Sequence, residues 1–410
     1  MIGAIGSLLR GPAGAVLAVC FLLNLAGRGM ADIYAVFLLP LEQEFGWTRS
    51  QLTGVYAIYL LVNGFTAPLA GLLFDRLGPR WVFGCGITIL GSAFFLAQWL
   101  DSLLQFYLFI GVMVGLAVSL CGMVPGSALL SRWFRTRLST AIGIAFSAVG
   151  MGTVIFVPLA QQVILQTDWR FTYRAFGMAL LLLAPLVFLA IPWRRFSAGH
   201  ADYQARVKAR DSGEGWTLRG ALGTRLFWGL AQMFFFTAVG MFAVTVQLVA
   251  FLVDAGFPPI TSATTFGILG LLSSISIMSS GFIADRFGYR RTVTVSYAAS
   301  MTGMVLLLFI AKWPSMLLLA AFVPVFGLAM GTRGPVISSI TAREFAGPNV
   351  ATIYGTIYSC NALGAAIGAF TGGLLHDLTG GYTVGLCFSV AAIVLAAIPV
   401  WTVPGIRNFR

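Results

Sequence analysis

Long, unbroken apolar runs follow one another along the whole chain, joined by short polar stretches, and nothing else constrains the fold as strongly. A helix needs roughly 20 apolar residues to cross a bilayer. Inside the hydrocarbon a backbone must satisfy its own polar groups, which leaves helices or closed barrels. The runs are continuous and do not alternate with period two, so helices remain. We place them at 13–38, 50–74, 81–99, 103–130, 138–164, 172–192, 225–252, 260–284, 292–311, 315–341, 350–374 and 382–402. Composition agrees: of 410 residues, 59% are hydrophobic and 9% charged, against about one quarter charged in soluble domains. A soluble enzyme, a disordered chain and a disulfide scaffold are excluded. The chain reads as an all-α polytopic membrane protein.

The net charge of +12 would suggest nucleic acid in a soluble protein. Here it reports topology, because basic residues hold loops on the cytoplasmic side. With both termini inside, the outer face holds Arg49, Arg170, Arg174 and Lys312, and Arg28 and Arg333 fall within apolar segments. That leaves 19 of the 25 basic residues inside. The charge therefore points to the lipid bilayer as partner, with no nucleic acid; the solutes expected are a small organic anion and protons, for the reasons below. The five cysteines lie in apolar stretches without metal or disulfide spacing. The first apolar run is long and no small-residue cleavage site follows it, so it reads as the first helix and not as a signal peptide.

The longest polar stretch, 194–224, is basic and central, and reads as a cytoplasmic linker between residues 1–193 and 225–410. The two flanking halves repeat one another. GWTRSQLTGVYAI (46–58) matches GFPPITSATTFGI (256–268), and GLLFDRLGPR (71–80) matches GFIADRFGYR (281–290). Twelve helices in two parallel six-helix repeats suit a secondary transporter that alternates access to a midplane site.

The doubled G-x-L-x-D-R-x-G-x-R motif resembles the major facilitator superfamily, in register and over essentially the whole chain. Its physics is local. Asp75 sits at the inner end of the second helix, where it can pair with loop arginines or a helix N-terminus. Gly71 lets another helix approach closely, and Gly78 permits a tight turn. The resemblance implies that Gly71, Asp75, Arg76, Arg80, Asp285, Arg286 and Arg290 close the inner side when the protein faces outward.

Charges within the membrane are costly and mark function by default. Asn24, Arg28 and Asp32 follow at i, i+4 and i+8, which puts them on one helical face. Arg28 is near mid-span and Asp32 can pair with it. Arg333 has no acidic residue within one turn, so a substrate anion, another helix or a helix C-terminus must balance it. Two arginines and one aspartate give a cavity of net +1, suited to a monoanion, and protonation of Asp32 raises it to +2. Asp32 is thus the candidate proton carrier. Tyr56, Tyr59 and Asn63 share one face of the second helix, and Tyr354, Tyr358 and Asn361 one face of the eleventh. Either group could contact a carboxylate or hold helices together.

Residues 37–80 further resemble bacterial relatives of monocarboxylate transporters and oxalate:formate antiporters, through Pro40, Leu41, Phe45, Gly46, Trp47, Thr48, Arg49 and Pro68. The resemblance implies transport of a small organic carboxylate, with a proton or in exchange for another anion, across a bacterial inner membrane. Those families carry basic residues in the eighth or eleventh helix. Here neither helix has one, so the anion-binding charge moves to Arg28 and Arg333. Efflux of drugs or metabolites is the alternative. No Walker loop, H-E-x-x-H or metal-ligand cluster is present, so no enzyme, cofactor or metal site is expected, and the protein should act as a monomer.

Overall fold

The computed structural model describes residues 11–134, 138–198, 216–345 and 350–407. Within them the chain is helical, with no strand. Most of the 194–224 linker lies outside the described residues. We number the long helices in chain order. The first half holds α1 (Gly11–Phe45), α2 (Arg49–Leu77), α3 (Pro79–Ala97), α4 (Leu103–Leu130), α5 (Leu138–Gln166) and α6 (Trp169–Leu189). The second holds α7 (Arg225–Asp254), α8 (Pro259–Phe287), α9 (Tyr289–Lys312), α10 (Met316–Ser338), α11 (Val350–Thr379) and α12 (Thr383–Thr402).

Eleven of these are long and apolar enough to cross a membrane. The exception, α11, is 30 residues long, and its apolar run is diluted by Tyr354, Tyr358, Ser359 and Asn361. Leu104, Leu182, Leu189 and Leu317 are more than two thirds exposed, a belt that only lipid would cover.

Local chemistry fixes the ends. Thr48 accepts from the Gln51 amide and Gln51 bonds back to Thr48, a capping box that opens α2. The Asp168 and Thr224 side chains accept from the Phe171 and Phe227 amides and cap α6 and α7. Gly78 and Gly288, equivalent in the repeat, end α2 and α8 at φ 79° and 86°, a backbone that side chains resist. The tight turn expected of the motif is therefore present in both halves.

Each half has a hydrophobic core, and that of the first half continues across the seam to Ala238, Val246, Ala263 and Ala365. The halves meet where α2 packs along α11 and α5 along α8. The seam is tight in its outer and middle parts. A Cβ on Gly373 would lie 2.1 Å from the Thr53 hydroxyl, and one on Gly150 would lie 2.1 Å from the Gly270 carbonyl oxygen. Towards the inner end, Cβ atoms on Gly143 and Gly355 would meet nothing within 4 Å. The seam is therefore looser at the end of α5 and α11 that carries Gly143 and Gly355. Gly150→Val should destabilise this packing by about 1–3 kcal/mol, the usual cost of overpacking. The drop would appear as a lower melting temperature, and an unchanged one would mean that the seam has slack.

Candidate functional site

Helix α1 is not regular. A π-helical turn at Leu25–Gly29 interrupts it, and the chain turns again at Asp32 and Ile33 before Tyr34–Phe45 resumes the helix. Such turns carry an extra residue and recur at functional sites. Gly29 makes room for the break, since a Cβ there would lie 2.7 Å from the Gly152 Cα of α5.

Arg28 lies in the π turn and Asp32 in the second turn. Arg28 Nε lies 3.8 Å from Asp32 Oδ1, with the side chains 24% and 15% exposed. That is a partly exposed ion pair, and long enough to be exchanged. Two groups from neighbouring helices hold the carboxylate: Tyr56 of α2 donates to Oδ1 at 3.5 Å, and Thr153 of α5 donates to Oδ2 at 3.1 Å. The Arg28 guanidinium stands 5.5 Å over the Tyr59 ring, where the ring's negative face attracts it. The Tyr59 hydroxyl is buried without a hydrogen-bond partner. The opposite half contributes as well. Tyr358 of α11 lies within electrostatic reach of Arg28, and Phe242 of α7 packs 6.5 Å from Tyr56. Tyr354 and Tyr358 stand 6.3 Å apart and both face Phe234. Arg28, Asp32, Tyr56, Tyr59 and Tyr358 thus converge at the level where the two halves meet.

Other expected site residues are placed elsewhere. Asn24 is 1% exposed and donates to its own helix at the Cys20 carbonyl, 2.9 Å away. Its amide is thereby taken up within its own helix, and among the described residues it makes no hydrogen bond to Arg28 or Asp32. Asn361 donates to the Phe234 carbonyl at 3.4 Å, a bond between helices of one half. Asn63 is partly buried on α2, one turn inward of Tyr59.

The largest correction concerns Arg333, which the structure does not bring to Arg28. Its side chain is 1% exposed and directed at α9. Nε donates to Ser296 Oγ at 3.0 Å, Nη2 donates to the Ser296 carbonyl at 2.9 Å and to Ser300 Oγ, and the guanidinium stands 4.5 Å over Tyr297. The reason is a break in the tenth helix. It stops at Met330 and restarts at Arg333, leaving carbonyls without helical partners. Ser296 Oγ bonds the Ala329 carbonyl, and Ser276 Oγ bonds the Leu328 carbonyl. Arg333 supports the first of these and places positive charge at a helix C-terminus. The continuous 315–341 helix is corrected by the same break.

On the outer side, a cluster absent from the sequence reading ties the halves together. Arg49, 3% exposed, reaches Glu42 Oε2 at 2.6 Å, Asp254 Oδ2 at 3.1 Å and the Tyr382 hydroxyl at 3.1 Å. Tyr382 also donates to Asp254 at 2.6 Å. The first amides of α2, from Arg49 and Ser50, donate to the two oxygens of Asp377 on α11 at 3.0 and 2.8 Å. A carboxylate at a helix N-terminus is well placed against its dipole. The one available signal was an arginine on the outer side, against the topological trend.

Among the described residues, the motif arginines show no ion pair to the opposite half. Arg76 and Arg286 are exposed. Arg80 lies over its neighbour Trp81, and Arg290 lies 3.8 Å over Trp401 of the same half. Gly71 serves close approach as expected, a Cβ there falling 3.2 Å from Val124 of α4. The Asp75 and Asp285 side chains lie outside the described residues. Among the described residues the seam is closed at the Arg49 end and looser at the end that carries the repeated motif.

The profile of the Major Facilitator Superfamily matches residues 17–323 and 271–407. The chain belongs to this superfamily. Among relatives of this superfamily member, monocarboxylate transporter 12 of Rattus norvegicus is 25% identical over 407 residues, covering 93% of this chain and 83% of its own length. Monocarboxylate transporter 13 of Bos taurus is 26% identical over 373 residues, covering 90% and 83%. Among solved structures, a D-xylose-proton symporter superposes with a TM-score of 0.74 at 14% identity, covering 96% of this chain and 98% of the other. A nucleoside transporter gives 0.71 at 16% identity, covering 94% and 99%. The superfamily fold, and a role as a multi-pass membrane transporter, follow.

Proposed function

We propose that this transporter carries a small monocarboxylate together with one proton, by alternating access, with Arg28 binding the carboxylate and Asp32 carrying the proton. The observation that carries this reading is the accessible Arg28–Asp32 pair at 3.8 Å. With Arg333 directed elsewhere, the site holds one positive and one negative group and is neutral. A monoanion entering it unaccompanied would leave a net negative charge in a medium that penalises charge. Once Asp32 takes a proton, the site is +1 and one carboxylate neutralises it. Substrate and Asp32 are then rivals for one guanidinium, which couples the two cargoes. A carboxylate at the present distance of Asp32 would gain about 4 kcal/mol at an effective dielectric constant of 20. Tyr56, Tyr59, Tyr354 and Tyr358 supply hydroxyls and apolar ring faces for the rest of a small acid.

The relatives named for monocarboxylate transport support the substrate class. The inward bias of basic residues supports cytoplasmic termini, and the bacterial resemblance of residues 37–80 supports an inner-membrane location. In proteoliposomes, an inward proton gradient should drive uptake of labelled pyruvate, lactate or benzoate, with one proton entering per anion. Counterflow of a cationic drug without any carboxylate would transfer the protein to the efflux reading. Asp32→Asn should retain anion binding and lose its dependence on pH between pH 5 and 8, as read by titration calorimetry. A preserved pH profile in that variant would move the proton to another group.

A further inference from the structure

We infer that Thr153 is a positioning residue through which the charge on Asp32 reaches the seam between the two halves. The inference rests on the reading of Asp32 as the proton carrier. Thr153 is 2% exposed and touches two partners of opposite halves. Its hydroxyl lies 3.1 Å from Asp32 Oδ2 and 3.0 Å from the Val149 carbonyl of its own helix. Its carbon atoms lie against α8, where a Cβ on Gly270 would fall 2.9 Å from Thr153 Cβ and 3.2 Å from its methyl. A Cβ on Gly267 would fall 2.8 Å from the neighbouring Val154 Cα. Within one turn, Gly152 meets Gly29 of the broken helix α1, and Gly150 meets the Gly270 carbonyl. Helix α5 is therefore wedged between the Asp32 segment and the opposite half, and Thr153 is the polar contact in that wedge.

A hydroxyl has one proton to donate. Ionised Asp32 takes it. Protonated Asp32 demands less of it, and the bond to Val149 then prevails, as usual for threonine in a helix. Protonation of Asp32 therefore loosens the tie between the broken helix α1 and α5 at the point where α5 meets Gly270 in a contact with no slack. The other groups facing Asp32 are Arg28 on its own helix and Tyr56 and Tyr59 on α2, with Tyr358 of α11 acting through Arg28. Among the described residues, α5 contributes only the Thr153 hydroxyl.

The test reads conformation and requires no substrate. Spin labels at Gly143→Cys and Ile283→Cys, on the inner ends of α5 and α8, report inner opening by their distance in nanodiscs, with the native cysteines replaced. In the wild-type background the inward-open fraction should vary with pH. Thr153→Val keeps the shape and removes the donor. A carboxylate that loses a hydrogen bond holds its proton to higher pH, so the midpoint should rise by about one pH unit. Thr153→Ser should restore it, and serves as the second variant if valine fails to fold. Asp32→Asn should flatten the response, with or without Thr153→Val. An unmoved midpoint in Thr153→Val beside a flat Asp32→Asn would overturn the role of Thr153 alone. A pH response that survives Asp32→Asn, or a wild-type protein without one, would overturn both readings.

Discussion

Replacing Arg28 with Gln should remove about 2–5 kcal/mol of carboxylate binding, roughly thirtyfold or more in affinity. The residue keeps its side chain 24% exposed where Arg333 is 1% exposed, and its present partner is a loose one at 3.8 Å. A glutamine keeps polarity and some length but has no charge to offer an anion. Lysine should recover part of the loss, because it restores charge without the planar fork that grips both oxygens. Arg333→Gln is the informative contrast. Its guanidinium is committed to Ser296 and Ser300 of α9, so affinity should stay near wild type while melting temperature changes. Isothermal titration with pyruvate or benzoate measures both variants. Full affinity in Arg28→Gln, or its loss in Arg333→Gln, would reverse the assignment of the two arginines.

Arg49→Gln should open the outer face. Arg49 contacts three oxygens, two of them on the opposite half, and it is 3% exposed. Breaking one side of a buried charge pair costs about 3–5 kcal/mol, since the remaining charge is left without a partner. Here the remaining charges are Glu42 and Asp254, which then favour separation and water. A few kcal/mol is enough to invert a conformational equilibrium, a shift from 1:99 to 99:1 needing about 5.5 kcal/mol. Thr53→Cys reports the change, because Thr53 is fully buried beneath the closed outer seam beside Gly373. A membrane-impermeant maleimide added outside should label it in the Arg49→Gln background and not in the parent. Equal protection in both would show that Asp377 and the glycine contacts close the outer side without Arg49. Arg49→Lys should give intermediate labelling, since one ammonium cannot span Glu42, Asp254 and Tyr382 together.

The sequence by itself determined the helices, the repeat and the class of protein. Those features are written in local chemistry. An apolar run of bilayer length has no fold open to it but a helix, and a glycine at 78 or 288 is needed wherever the chain turns left-handed between two helices. The repeated motif, being contiguous, was legible as soon as it was read. The pairing of Arg28 with Asp32 was legible too, because both lie on one helix a single turn apart. What only the tertiary structure decided are contacts between residues distant along the chain. Arg333 meets Ser296, 37 residues away, because the tenth helix breaks where Gly331 presses on α8, and no periodicity announces that break. Asn24 is drawn from the site because its amide turns back to the Cys20 carbonyl of its own helix. Thr153 and Arg49 looked like an ordinary buried threonine and a topological charge until packing set them beside Asp32, 121 residues away, and Asp254, 205 residues away. Periodicity specifies the face a helix presents. Which residue of another helix meets that face is fixed by how close the backbones can come, and here the glycines of α5, α8 and α11 set that distance.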